Sequence, residues 1–269
     1  MVGRRRGAKR GRPLAGGPQR CWIWGRNAVL ETLRAGRWTP LEVVVADRCE
    51  ADIAAESADL AARQGVPVRR AEFEELTDRC RSTEHQGLLA KMPEFPYASL
   101  DECLRDRGEP RFLVLLDGVQ DPHNFGAVLR SAEALGAGGV IVPGRGQSAV
   151  TPHVARSSAG AVNHLPICQA SDLAETCARL RELGIVVCGA AGDAGEEARA
   201  LPGAGPIALV LGNEGAGLSL PLRAACDRLV RIPQTGRTES LNVAVAAGIL
   251  CYEVRRQRTP AIDSARSPR

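Results

Sequence analysis

The stretch Arg111–Gly118 (RFLVLLDG) decides the fold class of this chain. Its apolar run, FLVLL, predicts a strand buried on both faces, and a helix over 124–135 follows it. The alternation continues with strands at 139–142, 165–168, 185–188, 207–211 and 229–232, with helices from 151 and over 171–183, and with a last helix from about 240 to 256. Apolar strands separated by helices predict an α/β domain, residues 111–256, in which helices cover both faces of a parallel sheet.

Residues 21–95 form a smaller α/β pattern. It contains predicted helices at 27–34, 51–64 and 71–80, and predicted strands at 42–46, 66–69 and 87–91. Its size suits a binding module. Residues 96–110 form a polar stretch with two prolines, one glycine and a short predicted helix near Ser99, and this composition predicts a linker.

Both ends of the chain are predicted to be disordered. Residues 1–20 hold seven basic side chains and no acid, and we expect this arm to attract phosphates. A solubilising tail or a targeting peptide are the alternatives for it. The arm lacks the apolar segment of a secretory signal. Residues 257–269 are polar and form the other predicted disordered tail.

Composition narrows the class of protein. The 269 residues are 44% hydrophobic and carry a net charge of +4, and no apolar run reaches the roughly 18 residues of a membrane span. Nine cysteines without a C-x-x-C pair predict reduced thiols and a cytoplasmic location. The four histidines show no metal-ligand spacing, so we expect no metal site.

Three loops follow predicted strands and carry unusual polar residues. They are residues 117–124 (DGVQDPHN), 212–217 (GNEGAG) and 233–242 (PQTGRTESLN). Ligands bind beyond the carboxyl ends of parallel strands, so the loops are expected to share one rim. Taken singly, each loop is equally explained by helix caps or tight turns. The glycine loop lacks the G-x-G-x-x-G spacing, and the chain has no Gly-Lys pair, which disfavours nicotinamide oxidoreductases and P-loop enzymes.

The last helix is apolar on nearly every side over Leu241–Val254. A helix of this kind is buried all round, and one sheet covers only one side of it. The sequence therefore predicts a homodimer formed through this helix, with burial by a neighbouring helix of the same chain as the alternative.

Three segments carry a family resemblance. Asn124-x-Gly126-x-x-x-Arg130-x-Ala132, the loop Leu211-Gly212-Asn213-Glu214-Gly215-x-Gly217-Leu218, and Ile232-Pro233 followed by Ser240-Leu241-Asn242-Val243 resemble the three motifs of the SpoU (TrmH) branch of the SPOUT RNA methyltransferases. Residues 21–95, with Gly25-Arg26-Asn27-Ala28-Val29 and His85-Gln86-Gly87, resemble the family's substrate-binding domain, a ribosomal-protein-like (L30e-like) RNA-binding fold. The layout is most similar to the enzymes that methylate a guanosine ribose in bacterial 23S rRNA.

The resemblance implies a C-terminal trefoil knot, a homodimer, S-adenosylmethionine as methyl donor and a structured RNA, of the 23S rRNA type, as substrate. It also implies that Gly212, Ile232 and Leu241 bracket the cofactor. The matching polar positions, Asn124, Arg130, Glu214, Ser240 and Asn242, would then form the catalytic set. Family enzymes often have Met where this chain has Gln234 and Ser where it has Ala244, and Glu239 has no assigned role.

Three questions stay open at this level. Arg130 is either the general base, as proposed for the family, or a phosphate clamp, because guanidinium groups are effectively always protonated. The substrate is either ribosomal or transfer RNA, and a catalytically silent RNA-binding protein is the remaining alternative. Trp22 and Trp24 either stack bases or, as we favour, anchor the start of the small domain.

Overall fold

The computed structural model describes Leu14 and residues 17–106, 108–213, 215–238 and 240–259. The chain divides into two compact units. The N-terminal unit contains the chain up to Pro96 together with Ala149–His164, and the C-terminal unit contains Tyr97–Ser148 and the chain from Leu165 onward. The segment Ala149–His164 thus groups with the N-terminal unit, although the sequence pattern places it inside the larger domain.

The regular elements follow the predicted alternation. The helices are α1 (Pro18–Cys21), α2 (Arg26–Ala35), α3 (Ala51–Arg63), α4 (Phe73–Cys80), α5 (Leu100–Cys103), α6 (Pro122–Ala134), α7 (Pro152–Ser157), α8 (Leu173–Glu182), α9 (Leu220–Ala225) and α10 (Val243–Arg258). The strands are β1 (Trp22–Trp24), β2 (Glu42–Ala46), β3 (Val68–Ala71), β4 (Leu88–Lys91), β5 (Phe112–Asp117), β6 (Gly139–Pro143), β7 (Ile167–Ala170), β8 (Val186–Ala190), β9 (Glu196–Glu197), β10 (Ile207–Gly212) and β11 (Arg228–Arg231).

The C-terminal unit is built on a seven-stranded sheet in the order β7-β6-β5-β10-β8-β11-β9. Every strand pair in it is parallel, which confirms the predicted sheet. The central pairing sets Ile207 opposite Phe112 and Gly212 opposite Asp117, so β5 and β10 end at the same level. Both strands are almost fully buried, as expected of a sheet with helices on both faces.

The N-terminal unit has a mixed four-stranded sheet in the order β1-β4-β2-β3. Strands β2 and β3 are parallel, and β4 runs antiparallel to both β1 and β2. Trp22 is buried in the core of this unit, as the anchoring interpretation predicts, while Trp24 is half-buried. Helix α1 begins within the segment that was predicted to be a disordered arm. The rest of that arm, apart from Leu14 and Gly17, and most of the polar tail lie outside the described residues.

The residues that begin two helices differ from expectation, whereas the short helix near Ser99 begins where it was expected. Helix α8 is capped by Asp172 rather than Ser171, because Asp172 Oδ1 accepts from the backbone N–H groups of Ala174 and Glu175. Helix α10 begins after Asn242 rather than near Ser240. The predicted linker contains α5, whose start is a capping box formed by Ser99 and Glu102, and it belongs to the C-terminal unit.

Helix α10 is buried on one face only. Val243, Ala247, Leu250, Cys251 and Val254 form the buried face, and the helix packs beside α6. On the other side Val245, Ile249 and Tyr252 are 50%, 38% and 59% exposed. The alternative interpretation, in which a neighbouring helix of the same chain covers the rest of α10, is therefore not met among the described residues.

Candidate active site

The carboxyl ends of β5, β10, β8 and β11 are neighbours in the parallel sheet, so the loops that leave them share one rim. A cleft of about 430 Å³ opens there. It is lined by the loops after β8, β10 and β11 and by the start of α10: Ala190–Asp193, Leu211–Asn213, Gly215–Leu218, Val230–Ile232, Gln234, Ser240, Leu241, Val243 and Ala246, with Arg223 from α9. Gly212, Ile232 and Leu241, the three predicted cofactor-binding residues, all lie in this lining.

Gly212 permits the turn that forms the floor of the cleft. A Cβ atom at this position would lie 2.2 Å from the carbonyl carbon of Gly217 and 2.4 Å from the backbone nitrogen of Leu218. The loop closes on itself through two backbone hydrogen bonds, Asn213 N–H to Gly217 O at 3.0 Å and Gly217 N–H to Asn213 O at 2.9 Å. Gly217 has a φ of +67°, in the left-handed region that glycine favours. This floor therefore requires glycine at both ends.

Asn213 joins the glycine loop to the loop after β5. Its Oδ1 accepts from the backbone N–H groups of Gly215 and Ala216, and its Nδ2 donates to the carbonyl of Gly118 at 2.8 Å. Asp117 adds a second link, since its Oδ2 accepts from the backbone N–H of Ser219 at 2.8 Å. The first predicted loop therefore holds the glycine loop in place through these two hydrogen bonds.

Asn124 and Asn242, which are 118 residues apart, are in direct contact. Asn242 Nδ2 donates to Asn124 Oδ1 at 3.0 Å. The Oδ1 of Asn242 accepts from the N–H groups of Ala244 and Val245 and so caps α10. Because the cap fixes the orientation of this side chain, it also fixes the contact with Asn124 at the start of α6.

A bidentate ion pair at the cleft was not foreseen from the sequence. Arg223 donates through both terminal nitrogens to the two oxygens of Asp193, each at 2.9 Å, and both residues line the cleft. The hydrogen bonds from Arg223 lower the pKa of the Asp193 carboxyl, and the same bonds raise the pKa of the Arg223 guanidinium. Asp193 stands in a glycine-containing stretch, residues 190–195 (AAGDAG), that follows a buried strand as the other rim loops do. This position was the only signal in the sequence that could have indicated Asp193.

Comparison with known proteins identifies the family. The profile of the SpoU rRNA methylase family matches residues 111–252, and that of the RNA 2′-O ribose methyltransferase substrate-binding domain matches residues 22–98. The chain belongs to the SpoU family. As a member, it is an RNA methyltransferase of the 2′-O ribose class.

Relatives of the SpoU family match almost the whole chain. A Bacillus subtilis protein that is named as a TrmH family tRNA/rRNA methyltransferase is 36% identical over 245 residues, which cover 90% of this chain and 98% of the relative. The AdoMet-bound rRNA methyltransferase of Sinorhizobium meliloti matches with a TM-score of 0.77 and 27% identity, over 90% of this chain and 89% of that one. The SpoU methyltransferase AviRb of Streptomyces viridochromogenes, in complex with AdoMet, gives a TM-score of 0.75 at 27% identity, over 89% and 91%.

The structure does not bring every predicted catalytic residue of this SpoU member to the cleft. Ser240 lines it, and Asn124 and Asn242 join each other beside it. Arg130 is exposed on α6, outside the cleft lining, and it has no hydrogen bond or ion pair with any residue that the structure describes. Glu214, like Glu239, lies outside the described residues.

Two further findings concern ligands and membranes. Within the described parts of the chain, no group of three or more His, Cys, Asp or Glu side chains could hold a metal ion. None of the described helices combines the length and the apolar character that crossing a bilayer requires.

Proposed function

We propose that this SpoU member methylates the ribose 2′-hydroxyl of a guanosine in large-subunit ribosomal RNA, in the cytoplasm, with S-adenosylmethionine as methyl donor. The observation that carries the proposal is the cleft at the carboxyl edge of the sheet. The two segments that resemble the cofactor motifs, the glycine loop from Leu211 to Leu218 and the stretch from Ile232 to Val243, meet there with the loop after β8. The bound AdoMet of two similar structures supports the choice of donor.

The cleft fits this cofactor in size and chemistry. Its volume of about 430 Å³ lies within the range of small-molecule sites, roughly 300–1,000 Å³. Gly212 and Gly217 let backbone groups approach a ligand closely, and Ile232 and Leu241 supply apolar contact for an adenine ring. Asp193, held ionised by Arg223, offers carboxylate oxygens to hydroxyl or ammonium donors. When bound, S-adenosylmethionine supplies a methyl group activated by its sulfonium. The trefoil knot expected from the family is part of the same proposal.

The residues beside the cleft are assigned positioning and electrostatic roles. Holding the ribose in line with the donor can contribute about 7–11 kcal/mol to catalysis. Asn242, fixed as a helix cap, holds Asn124, and this amide pair orients the ribose. Ser240 lines the cleft and contacts the substrate, and Glu214 completes the polar set. Arg130 clamps an RNA phosphate through its guanidinium and stabilises charge developing on the 2′-oxygen.

The exposed apolar face of α10 supports a homodimer. Val245, Ile249 and Tyr252 recur at helical spacing and lie on one side of a helix whose other side is buried. In a twofold dimer the same face of α10 in a second copy can pack against this face. In such a dimer Arg130, on the adjoining α6, is available to the cleft of either copy.

The dimer is tested by Ile249→Asp, which places a charge on the exposed face of α10. Analytical ultracentrifugation is expected to show monomers for this variant and dimers for the unaltered chain. Leu183→Asp is the matched control, since Leu183 is also an exposed large apolar residue, 47% accessible, in the same unit. A monomeric unaltered chain, or an equal effect of both variants, would contradict the dimer.

The substrate is tested by methyl transfer from tritiated S-adenosylmethionine to separated ribosomal and transfer RNA from cells lacking the gene. Label is expected in large-subunit rRNA, on the ribose of one guanosine located by mapping. Label in transfer RNA alone would overturn the ribosomal assignment and leave the chemistry in place. Calorimetry with S-adenosylmethionine addresses the remaining alternative, because a silent RNA-binding member that has lost the cofactor site would give no heat of binding.

A further inference from the structure

The N-terminal unit contains a cavity of about 780 Å³ that the proposed methyl transfer does not use. It lies between the start of α2, the turn before β4 and the segment Ala149–His164, all of which belong to the same unit. Its lining includes Trp24, Asn27, Glu84, Gln86, Arg156 and His164. The two short motifs of the small domain, around Asn27 and Gln86, therefore meet at this cavity.

Arg156 is the unusual group in this lining. Its guanidinium carbon lies 3.2 Å from the centre of the Trp24 ring, so the two side chains are stacked. Its Nη1 is buried and has no hydrogen-bond acceptor among the described residues, and no described carboxylate lies within ion-pair distance. Burial lowers the pKa of Arg156 to about 10, and Cys80 and Glu84 act weakly in the opposite direction. A guanidinium that is partly desolvated and unpaired is costly, because buried charges are normally paired.

The other polar groups of the cavity are both donors and acceptors. Gln86 Oε1 accepts from the backbone N–H of Arg26, while its amide NH₂ has no partner in the described parts of the chain. The Glu84 carboxylate is likewise exposed and without an ion pair there. Glu31 is held by His164 at 2.7 Å. Two carboxylates in the lining disfavour a bare phosphate, whereas the mixture of amide, carboxylate and guanidinium groups matches the edge of a nucleobase.

The backbone at this cavity is also strained. Gln86 and Ala159 have φ values of +48° and +50°, in the left-handed region, and Arg81 is the only other described non-glycine residue there. Such conformations are costly and persist where the surrounding structure holds a residue in a required position. At Gln86 that position presents the side chain to the cavity lining.

We propose that this cavity binds one unpaired nucleotide of the RNA substrate, with its base stacked on the Trp24–Arg156 pair and its edge read by Gln86 and Glu84. Bases splayed out of single-stranded RNA stack on aromatic rings and on guanidinium planes, and the volume suits one nucleotide. The inference rests on the proposed function in one respect only: it takes the ligand to be a part of the RNA that is methylated. It adds a second recognition site, on the N-terminal unit.

The test follows the indole N–H signals of the three tryptophans by NMR in the ¹⁵N-labelled full chain, assigned by Trp→Phe variants. Nucleoside 5′-monophosphates and a short unpaired RNA are titrated, with inorganic phosphate as a probe without a base. The signal of Trp24 is expected to shift saturably with nucleotides, more tightly with the RNA, and not with phosphate. The buried Trp22 and Trp38 are expected to respond little.

Arg156→Gln is expected to weaken nucleotide binding at least about tenfold, which is a loss of about 1.4 kcal/mol. Arg63→Gln is the matched control, because it removes the same charge from an exposed pair with Asp59 elsewhere in this unit. If Arg156→Gln has a much lower melting temperature, Gln86→Ala replaces it, since the Gln86 side chain is exposed and its removal breaks one surface hydrogen bond, to the backbone N–H of Arg26. A silent Trp24 signal, or equal binding by Arg156→Gln and Arg63→Gln, would overturn the proposal.

Kinetics separate this inference from the proposed function. Arg156→Gln is expected to raise the KM for RNA while the kcat and the KM for S-adenosylmethionine stay unchanged. If no RNA is methylated but the Trp24 signal still shifts with nucleotides, the proposed function fails and the cavity remains a nucleotide site. If methyl transfer proceeds with the same KM in Arg156→Gln and Trp24 is silent, the cavity proposal alone fails.

Discussion

Replacing Gly212 with alanine is the most direct perturbation of the cleft. The added Cβ would lie 2.2 Å from the carbonyl carbon and oxygen of Gly217, both backbone atoms that no side-chain rotation can move away. Carbon atoms pack at about 3.5–4.0 Å, so the loop must shift by more than about 1 Å. That shift breaks the two backbone hydrogen bonds between Asn213 and Gly217. Overpacking and lost hydrogen bonds together give a destabilisation of about 2–4 kcal/mol.

Calorimetry and thermal unfolding measure both consequences of Gly212→Ala. The melting temperature of the C-terminal unit is expected to fall by about 5–15 °C, and affinity for S-adenosylmethionine at least about tenfold. Gly195→Ala is the matched control, since a Cβ there has no neighbour within 4 Å and Gly195 is outside the cleft lining. A Gly212→Ala protein that melts and binds the cofactor as the control does would refute the role of this turn.

Three further outcomes are expected. Asn242→Asp keeps the oxygen that caps α10 but loses the N–H donor to Asn124, so the melting temperature should be retained while methyl transfer falls. Asn242→Ala loses the cap as well, and its free energy of unfolding should be lower by about 1 kcal/mol. Arg258→Ala removes donors to the carbonyls of Pro110, Arg111, Gly203 and Gly205, and urea unfolding should show a loss of about 2–4 kcal/mol, with no loss contradicting this anchor. Burial raises the pKa of Cys177 and Cys188 to about 12, above the value of a thiol in the unfolded chain. The neutral thiols therefore contribute fully to stability below pH about 9, and this contribution is lost as the pH rises toward 12. Both thiols should resist alkylation at pH 8 until the protein unfolds.

The long elements of the fold were predictable because their signals are local. The apolar run in β5 and the same pattern in β10 indicate strands buried on both faces, and both strands were found within one residue of the expected bounds. Two short elements were not predicted: β9 has two residues and α9 has six, too few for a periodic pattern. Helix α7, which is as short as α9, was predicted because Thr151-Pro152 marks its start. Choices between adjacent capping residues also failed, since Asp172 and Ser171 are both good caps and only the local backbone decides which oxygen reaches the free N–H groups.

The candidate site also contains features that the sequence predicted and features that it did not. Loops after buried parallel strands were expected at one rim, and Gly212, Ile232 and Leu241 were found together in the cleft there. The pair of Asp193 and Arg223, 30 residues apart, had no sequence signal that joined them. A resemblance in motif could also not indicate that Arg130 lies outside the lining of the cleft.

The sequence by itself determined which segments become strands and helices, that the large sheet is parallel, and hence that polar loops collect at one edge, because burial periodicity and the direction of parallel strands are properties of short stretches. Only the tertiary structure decided which loops are neighbours. The order β5-β10-β8-β11 brings the loop after β8 into the cleft, and the grouping of Ala149–His164 with the N-terminal unit places Arg156 against Trp24. Contacts between residues so distant in the chain depend on how whole elements pack, and no local pattern encodes that packing.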